Sequence, residues 1–83
     1  MSGPLVQVGD VIRVAEQDYC FGIGELRMRI TVVPASAQIP GLEWVELVGT
    51  PLVSSRPAGP ERAALIRVAA LRVPGSVRRV TGA

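Results

Sequence analysis

The chain has no histidine and no lysine, a single cysteine, and only three aromatic residues, Tyr19, Phe21 and Trp44, among its 83 positions. Without histidine there is no Ser-His-Asp or Cys-His arrangement, no ordinary zinc site, and no use of the commonest general base. Cys20 has no second cysteine to pair with, which excludes an internal disulfide and fits a reducing compartment. The shortage of aromatics means that any core is built from Val, Leu, Ile and Ala. Val occurs thirteen times, and its branched Cβ favours strands over helices. Long hydrophobic runs are also missing. The apolar stretch Leu5 to Val14 is broken by Asp10 and Arg13 with no basic segment before it, so it does not read as a signal peptide, and nothing approaches the length of a membrane span. A cytoplasmic protein is expected.

All nine basic residues are arginine, and the formal net charge is +2. The bias toward Arg, Ala, Val, Gly and Pro is what a GC-rich bacterial genome tends to encode, so the arginine count is discounted as a nucleic-acid signal. A chain of this length makes one domain, residues 1–83. It can bury only a modest fraction of its surface, and association with itself or a partner would help it.

The organising stretch is Gly22 to Val33. From Leu26 onward apolar and polar residues alternate, which places Leu26, Met28, Ile30 and Val32 on one face of a strand and Arg27, Arg29 and Thr31 on the other. Before it, Met1 to Pro4 is a tail and Leu5-Val6-Gln7-Val8 alternates briefly. Gly9-Asp10 makes a turn or bulge, Val11 to Ala15 forms a strand with Ile12 and Val14 on one side and Arg13 on the other, and Glu16-Gln17-Asp18 ends it. Tyr19-Cys20-Phe21 leads into Gly22-Ile23-Gly24, where the backbone can bend sharply. After Val33, Pro34 to Gly41 is a loop closed by the turn dipeptide Pro40-Gly41. Leu42 to Val53 is extended, with Val45 and Leu47 opposite Trp44, Glu46 and Val48, and Gly49-Thr50-Pro51 marks a bulge or corner within it.

Ser54 to Pro60 has the composition of a hairpin connection. The segment Glu61 to Val73 supports two conformations. Pro60 and Glu61 suit a helix start, Ala63, Ala64, Leu65, Ala69, Ala70 and Leu71 are helix formers, and Arg72 before Pro74-Gly75 suits an end. Against that, Ala64, Ile66, Val68 and Ala70 form a single β face, and a strand is expected, with a helix near residues 61–72 as the alternative. Val77 to Val80 is a short last strand, with Thr81 to Ala83 fraying.

Five short strands with a glycine-bent centre describe an all-β fold, a small five-stranded SH3-like or Greek-key barrel. The opening Gly9-Asp10-Val11-Ile12-Arg13-Val14, and Trp44-Val45-Glu46-Leu47-Val48-Gly49 after a loop, resemble the style of SH3-like barrels and of short proteins of GC-rich bacteria. That resemblance implies a binding module, since such barrels mostly bind peptides or nucleic acid. It carries no functional residues across.

No catalytic, cofactor-binding or metal-ligating constellation is readable, so no cofactor is expected and an enzyme is not. Cys20 is either a small hydrophobe beside Tyr19 and Phe21 or a reactive thiol without an evident base. Gly22-Ile23-Gly24 begins a phosphate-loop pattern that Arg27 breaks, and it reads as a turn. Trp44 shares a face with Glu46, where it either anchors an interface or lids the barrel. In a strand running to Val73, Leu65, Leu71 and Val73 oppose Ile66, Val68 and Ala70, so both faces are apolar and one calls for a cover. The expected function is therefore a non-enzymatic protein-interaction or assembly module, self-associating as a homo-oligomer, with Trp44, Leu65 and Leu71 as contacts. The alternative is a nucleic-acid-binding barrel that uses Arg27, Arg29, Arg67, Arg78 and Arg79.

Overall fold

Alternating stretches become strands, and the departures from alternation shape the fold. The computed structural model describes residues 6–20, 22–38 and 41–79. The expectations placed on Met1 to Leu5, Phe21, Ile39, Pro40 and Val80 to Ala83 lie outside the described residues. Six strands are present: β1 (Val11–Val14), β2 (Leu26–Val32), β3 (Trp44–Val53), β4 (Arg56–Pro57), β5 (Arg62–Arg67) and β6 (Val77–Arg78). A helical turn, α1, spans Val68–Leu71, and short 3-10 helices at Glu16–Asp18 and Ala35–Gln38 carry two connections.

The chain is mostly β, with every ladder antiparallel. The sheet order is β4-β3-β2-β1-β6, and β5 also pairs with β3. β3 is the hub. Its residues Trp44 to Gly49 pair with β5, Leu52 and Val53 pair with β4, and Val48 to Pro51 pair with β2. As expected, β3 runs through Gly49 as a corner and does not end there. A Cβ at Gly49 would collide with the Arg29 carbonyl oxygen and come within 2.6 Å of Met28 Cγ, so the crossing of β2 and β3 requires glycine.

One face of this sheet carries the core. Ile12 and Val14 of β1, Leu26, Met28 and Ile30 of β2, Val45 and Leu47 of β3, and Ala64 and Ile66 of β5 are buried together with Val6 and Tyr19. The sheet is not closed into the expected barrel. β1 is only four residues long, and the chain leaves it for the 3-10 turn at Glu16–Asp18. What reaches β5 is a single bridge from Tyr19 to Ile66, with the Cys20 N–H donating to the Leu65 carbonyl at 3.0 Å.

Two expectations need correction. Val32 does not join the Leu26, Met28 and Ile30 face. The β2–β3 register steps from Ile30↔Gly49 to Val32↔Val48, so Thr31 is an extra bulge residue and Val32 turns outward, 45% exposed. The strand expected to run to Val73 stops at Arg67, where α1 takes over. In that helical turn Ala70 and Leu71 both enter the core, whereas a strand would have sent them to opposite sides. The helix formers at 69–71 therefore act locally after a strand at 62–67, and each of the two readings of Glu61 to Val73 describes one part of it.

Candidate functional site

The outward face of the sheet carries two unlike surfaces at opposite ends of β3. The first is built by cross-strand register. Val32, Val48 and Ala63 form one row across β2, β3 and β5; Glu46 and Leu65 form the next; Trp44 and Arg67 form the third. In-register residues project on the same side of a sheet, so this is one continuous outward surface. Leu65 is 38% exposed and Trp44 is half-buried. Trp44 is held by Arg67, whose guanidinium carbon stands 4.4 Å from the ring centroid. Arg67 is fixed in turn by Glu43 at 2.8 Å and Asp18 at 3.4 Å. The indole is thus pre-oriented on the sheet surface and does not cap an open barrel end.

Leu71, expected beside Trp44 and Leu65, lies in the core at 4% exposure. The apolar residues of 65–73 are consequently divided. Leu71 and Ala70 are satisfied internally, and Leu65 and Val73 are left outward.

The second surface gathers arginines. Register places Arg13 opposite Arg27, and Val11 opposite both Arg29 and Arg78, so Arg13, Arg27, Arg29 and Arg78 share the outward side of β1, β2 and β6. Glu25 bridges two of them, at 3.3 Å from Arg13 Nε and 2.8 Å from Arg27 Nε. Beside them is an open groove of about 400 Å³ lined by Arg13, Arg27 and Arg78, by Ser55 and Ser76, and by apolar residues including Val11, Leu52 and Val77. Arg13 was not among the expected contacts. Its outward direction was readable, but its pairing with Arg27 depends on a register that no local pattern carries.

The other two arginines of the expected set stand apart. Arg67 is opposite Trp44, at the far end of β3 from Thr50, which pairs with Arg29. Arg79 lies 3.6 Å from the buried carboxylate of Asp10, which also accepts the Gln7 N–H at 2.9 Å. Cys20 is a half-buried free thiol on the strip that bridges to β5. Glu16 and Tyr19 are occupied in bracing the glycine loop. The Glu16 carboxylate accepts the Gly24 N–H at 2.6 Å, and the Tyr19 hydroxyl donates to the Gly24 carbonyl at 2.7 Å. Among the described residues no three of His, Cys, Asp and Glu gather as metal ligands, and no helix is long and apolar enough to cross a membrane. No family model matches the chain, and neither a curated protein nor a solved structure matches it.

Proposed function

We propose that the chain is a non-enzymatic protein-interaction module, built in the style of small SH3-like barrels, that self-associates through the outward surface of β2, β3 and β5. The observation that carries this reading is the apolar strip Val32, Val48, Ala63, Leu65 and Trp44 across three strands, with Val32 turned outward by the Thr31 bulge and the rest by strand parity. Tryptophan is enriched among the residues that carry interface binding energy, and one held in place before association loses less freedom on binding. The same surface carries Glu46, which has no partner among the described residues, together with Arg67.

Association through strand edges has less in its favour. β4 and β6 at the ends of the sheet are two residues each, too short to template another chain, and Tyr19 and Cys20 meet the outer side of β5. The nucleic-acid alternative also draws less support, since Arg67 and Arg79 are engaged with carboxylates away from Arg27, Arg29 and Arg78.

Sedimentation equilibrium across the micromolar range tests the proposal. The native chain is expected to dimerise with little dependence on salt. Trp44→Ala or Leu65→Glu is expected to weaken dimerisation by about 2 kcal/mol, roughly thirtyfold, with the fold intact by circular dichroism. A native monomer throughout that range sinks self-association. Binding to nucleic acid that falls steeply with salt and with Arg27→Ala would favour the alternative.

A further inference from the structure

The groove on the arginine side has no part in self-association through the Trp44 surface, and its chemistry is different. We propose that it binds a small phosphate-bearing molecule of about the size of a mononucleotide.

Charge is the first argument. Arg13, Arg27 and Arg78 line the groove from three strands, β1, β2 and β6, against the single carboxylate of Glu25. Arg78 has no ion-pair partner among the described residues. Three arginines lining one groove from separate strands suit a tetrahedral phosphate, whose oxygens accept from several directions, better than a planar carboxylate that one arginine already satisfies.

The remainder of the lining points the same way. Ser55 and Ser76 add hydroxyls, which serve as donors to phosphate or sugar oxygens. Val11, Leu52 and Val77 add an apolar part. Leu52 is informative here. It occupies an outward position of β3 and is nevertheless buried, outside the main core cluster, where it lines the groove beside Arg27. A lining of mixed polar and apolar residues takes an amphipathic ligand, and about 400 Å³ falls within the range of small-molecule sites. A polymer is disfavoured because Arg29 alone of the neighbouring outward arginines extends the cationic surface beyond the groove. Arg79 is drawn to Asp10 and Arg67 lies at the other end of the sheet, so no extended phosphate track continues from it.

The test is an amide chemical-shift titration of the labelled protein with adenosine monophosphate, inorganic phosphate, adenosine and a short thymidine oligonucleotide. The nucleotide is expected to give saturable shifts centred on Ser55, Ser76 and Val77. Inorganic phosphate is expected to move the same amides more weakly, adenosine to leave them in place, and the Trp44 surface to stay silent. Arg78→Gln, which keeps the β6 backbone pairing with Val11 and changes an exposed side chain without an ion-pair partner among the described residues, is expected to weaken nucleotide binding about tenfold while leaving the remaining spectrum unchanged. The proposal is overturned if neither phosphate compound gives saturable shifts, if Arg78→Gln binds as well as the native chain, or if the oligonucleotide binds more tightly than the nucleotide and spreads its shifts to Arg29.

Discussion

Asp10 is a buried charged side chain in an otherwise apolar interior, 2% exposed. Its backbone links the entry turn to β2: the Asp10 N–H donates to the Gln7 carbonyl at 3.0 Å, and the Asp10 carbonyl accepts the Ile30 N–H at 2.8 Å. The carboxylate adds the bond from the Gln7 N–H and the approach of Arg79 Nε. Asp10→Ala leaves the Gln7 N–H without its side-chain partner, and a loss of about 2 kcal/mol of stability is expected in urea denaturation. Gly49 makes a steric counterpart. Gly49→Ala drives a methyl group into the backbone of Arg29, which cannot rotate away as a side chain tip would. A loss of about 3 kcal/mol is expected, with a lowered denaturation midpoint in the same measurement. How far each position was legible differs for a physical reason. Gly49 is legible as a bulge or corner that does not end the strand, because a glycine inside an apolar alternation is a local signal. Asp10 read only as a turn residue, since its burial depends on where β6 and Arg79 pack.

At the level of elements, the hairpin joining β3 to β4 has a specific cost. Its two central residues, Ser54 and Ser55, both have positive φ, at 52° and 66°. This is the backbone of a tight two-residue turn that Asn-Gly occupies with little strain. Replacing Ser54-Ser55 by Asn-Gly is expected to stabilise the chain by about 1 kcal/mol, seen as a rise of roughly 4–8 °C in the thermal midpoint. Because Ser55 lines the groove, the same replacement is expected to weaken nucleotide binding in the shift titration, an exchange of stability for function. The β2 strand illustrates a related point. Its alternation located Leu26, Met28 and Ile30 in the core, but the bulge at Thr31 reversed Val32. The Thr31 hydroxyl is anchored by the Glu61 carboxylate thirty residues later, so the reversal answers to a contact invisible in the local pattern.

Across the whole molecule, one curled sheet presents two outward surfaces of unlike chemistry. The apolar surface centres on Trp44 and Leu65 and the cationic groove on Arg13, Arg27 and Arg78. Dimerisation through the first leaves the second open, since they lie at opposite ends of β3. If the native chain is a dimer, its thermal midpoint is expected to rise with protein concentration, and Leu65→Glu is expected to abolish that dependence. Scanning calorimetry at several concentrations checks this, and a midpoint independent of concentration in the native chain counts against the dimer.

What depends on neighbours along the chain is legible in the residues themselves: a β-rich class from the valines, the inward sides of β1 and β3, the strand start at Leu26 and the glycine at 49 through which β3 continues. Trp44 is also legible as an outward residue, because parity within a strand is a local property. Register and the direction of the chain after a turn are set by long-range packing. β1 ends too early to close a barrel against β5, and α1 carries Leu71 into the core. Arg13 stands beside Arg27, whereas Arg67 and Arg79 are drawn to carboxylates elsewhere. Those outcomes rest on contacts between residues distant in sequence, whose pairing is settled by the packing of the whole sheet.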